Sequence, residues 1–518
     1  MLSPRRVTEM VRAVFDHAAG LEDLARCKLG HRRRTNRLVH TGKLLAAEAA
    51  GRSLPDRLPK RKDYEGALNL MNHPAVTQPS ILKPHYEATR QRMLDRPGPI
   101  LIISDTTELD YTGHNIAALG PIGNGSRQGI ECHNCLAVDP ATRDILGLTS
   151  QILHVRDSDE KIQAEREAKE AKKAKAGTKK TAKKPKRRGR RADETIPERR
   201  ERENRESRLW LKGCEASGEI PEGKLWVDVC DRAADTFEFL QFEARKNRHY
   251  VIRSKHNRIA VDKNGTTLEV TEEGAQSPRL LHDRLRSLPG GMSWKVDIKA
   301  NNNQQARVAD VQMAWMKVQL PAPDMHKGEH DKEAIDVWAI RVWEPNPPAE
   351  AKEPLEWLLL TNVEIQTDEQ ARERVSWYER RPMIEEFHKA QKTGMGIENL
   401  QLQTRGGLEP FIGLLSLLAV SLVNLRQVAR QPEAETQPAR EVVNPLWVSV
   451  LSLWLYEEKR DLTVKEFYLG LAKLGGYMNR SRDAWPGWIV LWRGLTKLMH
   501  LVDYESKRQK TAKSFPEL

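Results

Sequence analysis

The sequence predicts an α/β protein built on a mixed sheet, and three observations carry that prediction. PGPILIISD (97–105), KLWVDVCD (224–231), RHYVIRSKH (248–256) and EWLLLTN (356–362) are short apolar runs that end abruptly in polar residues, the mark of buried strands. Between them, ADTFEFLQFEARK (234–246) and a block over about 368–393 repeat apolar residues at helical spacing. Strands that alternate with helices build layered α/β sheets rather than sandwiches or bundles.

Residues 1–75 read as helical and include the basic cluster HRRRTNRLVHTGKLLA (31–46), where Arg33, Arg34 and Arg37 open an amphipathic segment. After 97–105 come two more strand-like runs, IECHNCLAVD and ILGLTSQILHV. A charged stretch at 156–207 interrupts them, with a composition that cannot bury enough apolar surface to order itself. Residues 257–356 mix Gly, Asn and Pro with short apolar runs, which suggests a β-rich insertion. The C-terminal stretch 409–505 is largely helical in pattern. The expected domains are therefore 1–75 (helical), 76–408 (the α/β core with both insertions) and 409–518 (helical).

Composition narrows the functional classes. The run Phe411–Leu425 is interrupted by Gly413, Ser416, Ser421 and Asn424 and falls short of the ~20 residues a bilayer needs, so it reads as a core helix and no membrane partner is expected. The N-terminus lacks a signal-peptide apolar core, and five cysteines, few and odd in number, point to a reducing compartment. CHNC (132–135) has the spacing of half a zinc site, but Cys214 and Cys230 are isolated, so these cysteines read as strand residues. No glycine-rich phosphate loop appears, and no ATP requirement is expected. Residues 172–191 hold twelve Lys/Arg and no acid, twelve of the chain's thirteen net positive charges, so a case for nucleic acid must rest on local patches. The tract itself suits a weak, salt-sensitive DNA contact or a plain solvated linker equally well.

One such patch is YERRPMIEEFHKAQKTG (378–394). Pro382 suits a first helical turn and Gly394 a C-terminal cap. A continuous helix would put Glu385, Lys389 and Lys392 on one face, with Tyr378 and Arg381 nearby and Glu386 turned away. Alone, this pattern suits a salt-bridge ladder. Asp105 and Asp231 change its weight, because each stands where a buried strand is expected to end, and strand ends are where open α/β sheets place ligands. Two such aspartates and a helical glutamate make a possible all-oxygen site for Mg²⁺.

These motifs in this order resemble the DDE transposases of the insertion-sequence-four family. That signature, Tyr, two residues, Arg, three residues, Glu, six residues, Lys, is matched without a gap by Tyr378, Arg381, Glu385 and Lys392. SDTTELDY (104–111) resembles the first acidic motif and VCDRAAD (229–235) the second, and the likeness runs from LGHRRRTNRLV (29–39) to LAKLGGYMNRSRDAWPGWIVLW (471–492). It implies a ribonuclease-H-like mixed-sheet catalytic core flanked by an N-terminal domain that binds transposon ends and a C-terminal domain that dimerises. It further implies that Asp105, Asp231 and Glu385 hold two Mg²⁺ ions, for which Mn²⁺ can substitute. Tyr378, Arg381, Lys389 and Lys392 would contact DNA phosphates. Trp357 and Arg253 would attend a flipped base, with a core role for Trp357 equally open. Arg33, Arg34 and Arg37 are the end-reading candidates. The implied activity is cut-and-paste transposition of double-stranded DNA, through a hairpin, by a homodimer in a synaptic complex in the bacterial cytoplasm at the nucleoid. The alternatives are a transposase-derived DNA-binding inhibitor and a nuclease that serves its host.

Overall fold

A computed structural model describes residues 18–47, 53–157, 204–262, 279–298, 306–323, 331–348, 354–428, 432–441, 443, 445–480 and 485–514. Most of the charged stretch 156–207, with the basic tract 172–191, lies outside these residues. The strands are β1 (Ile100–Asp110), β2 (Gly120–Ile122), β3 (Arg127–Val138), β4 (Ile145–His154), β5 (Trp226–Cys230), β6 (His249–Arg253), β7 (Ser293–Ile298), β8 (Arg307–Leu320), β9 (Ile335–Trp343) and β10 (Glu356–Thr361). Among the described residues they form one ten-stranded mixed sheet in the order β2-β3-β1-β5-β6-β10-β9-β8-β7, with β4 also on β3. β1, β5 and β6 run parallel, and β3 and β10 flank them antiparallel. The expected β-rich insertion is the antiparallel meander β7-β8-β9, which returns to the centre through β10.

Besides a single α-helical turn at Leu54–Arg57, the helices are α1 (Ala18–Ala25), α2 (Arg32–Ala47), α3 (Arg61–Met71), α4 (Gln78–Leu94), α5 (Leu209–Ala216), α6 (Phe237–Arg245), α7 (Leu281–Ser287), α8 (Asp368–Tyr378), α9 (Pro382–Lys389), α10 (Arg405–Val428), α11 (Pro445–Tyr456), α12 (Val464–Leu474) and α13 (Trp488–Ser514). Successive strand side chains point to opposite faces, so the apolar runs of β1 and β5 feed two cores at once. On one face Leu101, Ile103, Val227 and Val229 share a core with Ile384 and Phe387 of α9 and Phe411 and Leu415 of α10. On the other, Tyr250 and Ile252 of β6 pack against Leu209 and Trp210 of α5 and Phe237 and Leu240 of α6. Each such side chain, fully buried, stabilises the fold by roughly 1.5–3 kcal/mol.

Two expectations need correction. β1 does not end at Asp105 but runs to Asp110, because β3 keeps pairing with it along that edge. α10 extends beyond Phe411–Leu425 at both ends, and Arg405–Asn424 is long and apolar enough to cross a membrane. Burial marks it as a core helix, since 83% of its apolar window is enclosed by the protein. Cys132 and Cys135 stand three apart on β3, so they face opposite cores and cannot share an ion.

Candidate active site

The site forms where the sheet splits. Parallel pairing between β1 and β5 stops at Ser104 opposite Cys230, while β1 stays paired to β3 through Asp105 opposite Asn134. Asp105 thus stands at the first position beyond the parallel pair, on the face that carries Leu101 and Ile103. Asp231 follows the last residue of β5 and caps a short 3-10 turn, its Oδ1 accepting from the Ala233 amide at 2.8 Å. Two aspartates therefore stand at adjacent strand positions, where the amides of one strand no longer serve the other.

Glu385 reaches the same place from α9. Pro382 opens that helix, where its fixed φ helps and its missing N–H costs nothing. Ile384, Phe387 and His388 anchor α9 in the core, and Glu385, on the remaining side, leaves 58% of its side chain exposed. The Arg381 guanidinium joins the two motifs, donating to Asp105 Oδ2 at 2.9 Å and to Glu385 Oε1 at 2.5 Å. Burial pushes the Asp105 carboxyl up to about 6; Arg381 opposes that shift, and the negative charges of Asp231 and Glu385 add to it. Asp231 and Glu385 thus each lie within electrostatic reach of Asp105, and one guanidinium bridges Asp105 to Glu385.

This donor set suits a hard divalent cation. It offers carboxylate oxygens alone, and their mutual repulsion, felt at Asp105, is what a bound cation would relieve. The carboxylates are not already gathered round one point. Among the described residues, the set of three whose ligand atoms all lie within 4.8 Å of one another is Cys214, Asp228 and Glu243. There the Arg248 guanidinium pairs with Asp228 at 2.8 Å, as Arg381 does with Asp105 and Glu385. Burial, and then the Asp228 charge, push the Glu243 carboxyl well above the usual carboxyl range.

A second group of predicted residues gathers beside the carboxylates. The Tyr378 ring meets Trp357 edge-on at 5.8 Å. Burial pushes the Tyr378 hydroxyl up to about 12 against the pull of Arg381 and Arg253. Arg253 donates to the Glu356 carbonyl at 3.1 Å and interacts with Tyr378. Trp357 is only half-buried.

The lysines depart from expectation. Lys389 is exposed one turn beyond Glu385, but the α-helix stops there and a π-turn follows over Ala390–Gly394, closed by the Met395 amide on the Ala390 carbonyl at 2.7 Å. The wider turn breaks the single face expected for Glu385, Lys389 and Lys392, and Lys392 pairs with Glu398 at 3.2 Å. Gly394 is not the left-handed cap. Gly396 takes that role, with φ +64°, while Gly394 lets Leu422 and Trp488 close in to where a Cβ would stand 2.7–2.8 Å away.

The N-terminal arginines lie elsewhere, on α2, which packs against α1, α3 and α10. Arg33 is exposed. Arg34 donates to the Leu29 carbonyl at 2.8 Å, and Arg37 pairs with Asp63 at 3.2 Å, so both brace the helices around them. Sequence reasoning missed the polar residues behind the site, Asn134 and Gln391, both wholly buried. The signal was present: an asparagine inside CHNCLAV and a glutamine between two lysines of a core-facing helix.

No family model matches the chain. Among solved structures it is similar to a piggyBac transposase, in a cryo-EM structure of its synaptic complex with hairpin DNA, at 9% identity over 96% of this chain and 81% of that one, with a TM-score of 0.31. A likeness at that level carries no inference about this chain.

Proposed function

We propose that the chain is a DDE transposase of the insertion-sequence-four kind, with a ribonuclease-H-like core, that cuts double-stranded DNA at transposon ends and joins it to a target. The observation that carries this reading is that Asp231 and Glu385 both act on Asp105, with Arg381 bridging Asp105 to Glu385 and interacting with Tyr378, which meets Trp357 and interacts with Arg253. Asp105, Asp231 and Glu385 would hold two Mg²⁺ ions. Bound there, such ions activate a water or 3′-hydroxyl and stabilise the leaving oxygen of a phosphodiester.

The remaining work falls to the chain's own groups. Arg381 fixes Asp105 and Glu385 relative to each other and leaves a cation beside the strand to be cut. Lys389, exposed one turn beyond Glu385, adds positive charge that holds DNA by its phosphates without reading its sequence, and Lys392 would join it on exchanging Glu398 for a phosphate. Trp357, half-buried and braced by Tyr378, offers an aromatic face against which an unstacked base can pack, and Arg253 stands beside it. A flipped base costs a few kcal/mol in lost stacking, which this platform offsets in part.

The test is cleavage of a duplex that carries the element's own inverted repeat, in Mg²⁺, resolved on a denaturing gel. Asp105→Asn, Asp231→Asn and Glu385→Gln should each lower cleavage at least about a thousandfold, several kcal/mol of barrier, while end binding persists. Full cleavage by any one of the three removes that residue from the site.

A further inference from the structure

Directly behind the carboxylates lies a closed cluster of buried amides. Asn134 is the register partner of Asp105. Its Oδ1 accepts from Gln151 Nε2 at 2.8 Å, and its Nδ2 donates to Gln391 Oε1 at 3.3 Å. Gln391 Nε2 and Gln151 Nε2 both donate to Ser416 Oγ at 2.9 Å, and Ser416 donates onward to the Ile412 carbonyl at 2.7 Å. Gln78 Nε2 completes the ring on Gln151 Oε1 at 3.2 Å. Asn134, Gln391 and Ser416 are 0% exposed.

The cluster draws one residue each from β3, β4, α4, α10 and the π-turn. Both ends of the Asn134, Gln151 and Gln391 amides are used, so no side chain can slide or flip without stranding a buried polar atom, at roughly 1–3 kcal/mol each. Apolar side chains would fill this volume at no such risk, because leucine or methionine has no direction to satisfy. What amides add is a single permitted arrangement. Gln391 stands in the π-turn immediately after α9 and bonds to Asn134 from there. The widened turn therefore comes with the hydrogen bond that ties the helix of Glu385 to the strand neighbour of Asp105.

We infer that Gln391 is a positioning residue. Its amide pins the turn after α9 to Asn134 and so sets where Glu385 and Lys392 stand relative to Asp105. This rests on the reading of Asp105, Asp231 and Glu385 as the metal-holding centre. Gln391 touches neither the DNA nor the ions and acts through the backbone that carries Glu385.

The experiment uses the full chain and Mn²⁺ as the probe, with free Mn²⁺ followed by electron paramagnetic resonance. Single-turnover nicking of an end duplex, end-DNA affinity and thermal unfolding are measured alongside. Gln391→Met, close in volume and without the amide, should weaken Mn²⁺ binding about tenfold. At saturating DNA it should slow nicking by about ten- to a hundredfold, the scale of a sub-ångström to 1 Å misplacement, with end affinity changed by no more than about twofold. Val448→Ala, a buried residue of α11 outside the cluster, controls for stability and should lower the melting temperature without either effect. Equal Mn²⁺ affinity and nicking rate in Gln391→Met and the parent chain overturn the inference, as does a matching rate loss in Val448→Ala. If Asp105→Asn binds Mn²⁺ as well as the parent does, the centre itself is misassigned and both readings fall together.

Discussion

His133 shows how far burial governs single residues in this protein. It is 0% exposed, its Nδ1 shares a hydrogen bond with Thr106 Oγ1 at 2.8 Å, and its other edge faces Gly213, where a Cβ would stand 2.7 Å away. With no nearby charge to offset it, burial alone pulls the imidazole down to about 3. In the unfolded chain a histidine takes up its proton near 6.5. The folded value lies below the unfolded one, so the contribution is complete above pH 6.5 and is lost as pH falls towards 3, at about 1.4 kcal/mol per pH unit. His388, also buried and pulled down to about 3 by burial and then by the charges of His133, Lys392 and Arg381, works in the same direction. The urea midpoint should therefore drop steadily between pH 6.5 and 4. His133→Gln should flatten that slope by close to one proton. A variant whose slope matches the parent's would mean that His133 is charged in the folded protein.

At the scale of elements, a row of tryptophans positions the helix that leads into the site. Strands β7, β8, β9 and β10 each contribute one. Trp294 lies under Arg372 at 4.3 Å, and Trp315 Nε1 donates to Asp368 at 2.7 Å. Trp338 Nε1 donates to the Ile365 carbonyl at 3.0 Å, and Trp357 meets Tyr378. The insertion and β10 thus hold α8 and the residues leading into it, and α9 is held by α13, where Trp488 Nε1 donates to Glu386 at 3.1 Å and the indole covers Gly394. Gly394→Ala should cost about 1–3 kcal/mol through that collision and depress nicking more than end binding. Parental stability would show that Trp488 can step aside. The strands, the β character of 257–356 and the helical placement of Glu385 were legible in the sequence because apolar runs and residue spacing are local patterns. The end of α9 was not. A π-turn is selected by what Gln391 meets on β3 and by what Gly394 meets on α13, and those partners lie 257 and about a hundred residues away in the chain. Asp105 was misread as a strand end for a related reason, since its apolar run stops there but its antiparallel partner β3 continues. Arg34 and Arg37 looked like free charge because the backbone carbonyl and the carboxylate that occupy them come from neighbouring segments.

At the scale of the whole molecule, α10 makes one body of what the sequence divides into three domains. It packs on α1, α2, α3 and α4 from the N-terminal side, on β4 of the sheet, on α9 and the π-turn beside the site, and on α13 from the C-terminal side. Leu414 and Leu415 are 0% exposed within it. A helix with contacts on all sides cannot lose one of them without opening a path to the others, so the N-terminal helices should not unfold ahead of the sheet. The buried thiols allow this to be tested without added labels. Cys27 lies between α1 and α2, and Cys132 and Cys135 lie in β3, all unpaired and buried. Burial, aided by the Asp23 charge, pushes the Cys27 thiol up to about 12, and burial does the same for Cys132 and Cys135, so none reacts until its surroundings open. In urea, the N-terminal and sheet cysteines should become reactive at one midpoint, coincident with the change in tryptophan fluorescence. Leu415→Ala should move all three probes together by about 2–5 kcal/mol. Reactivity of Cys27 at lower urea than Cys132 and Cys135 would make the N-terminal helices an independent unit, and α10 a packing partner rather than the member that unites the fold.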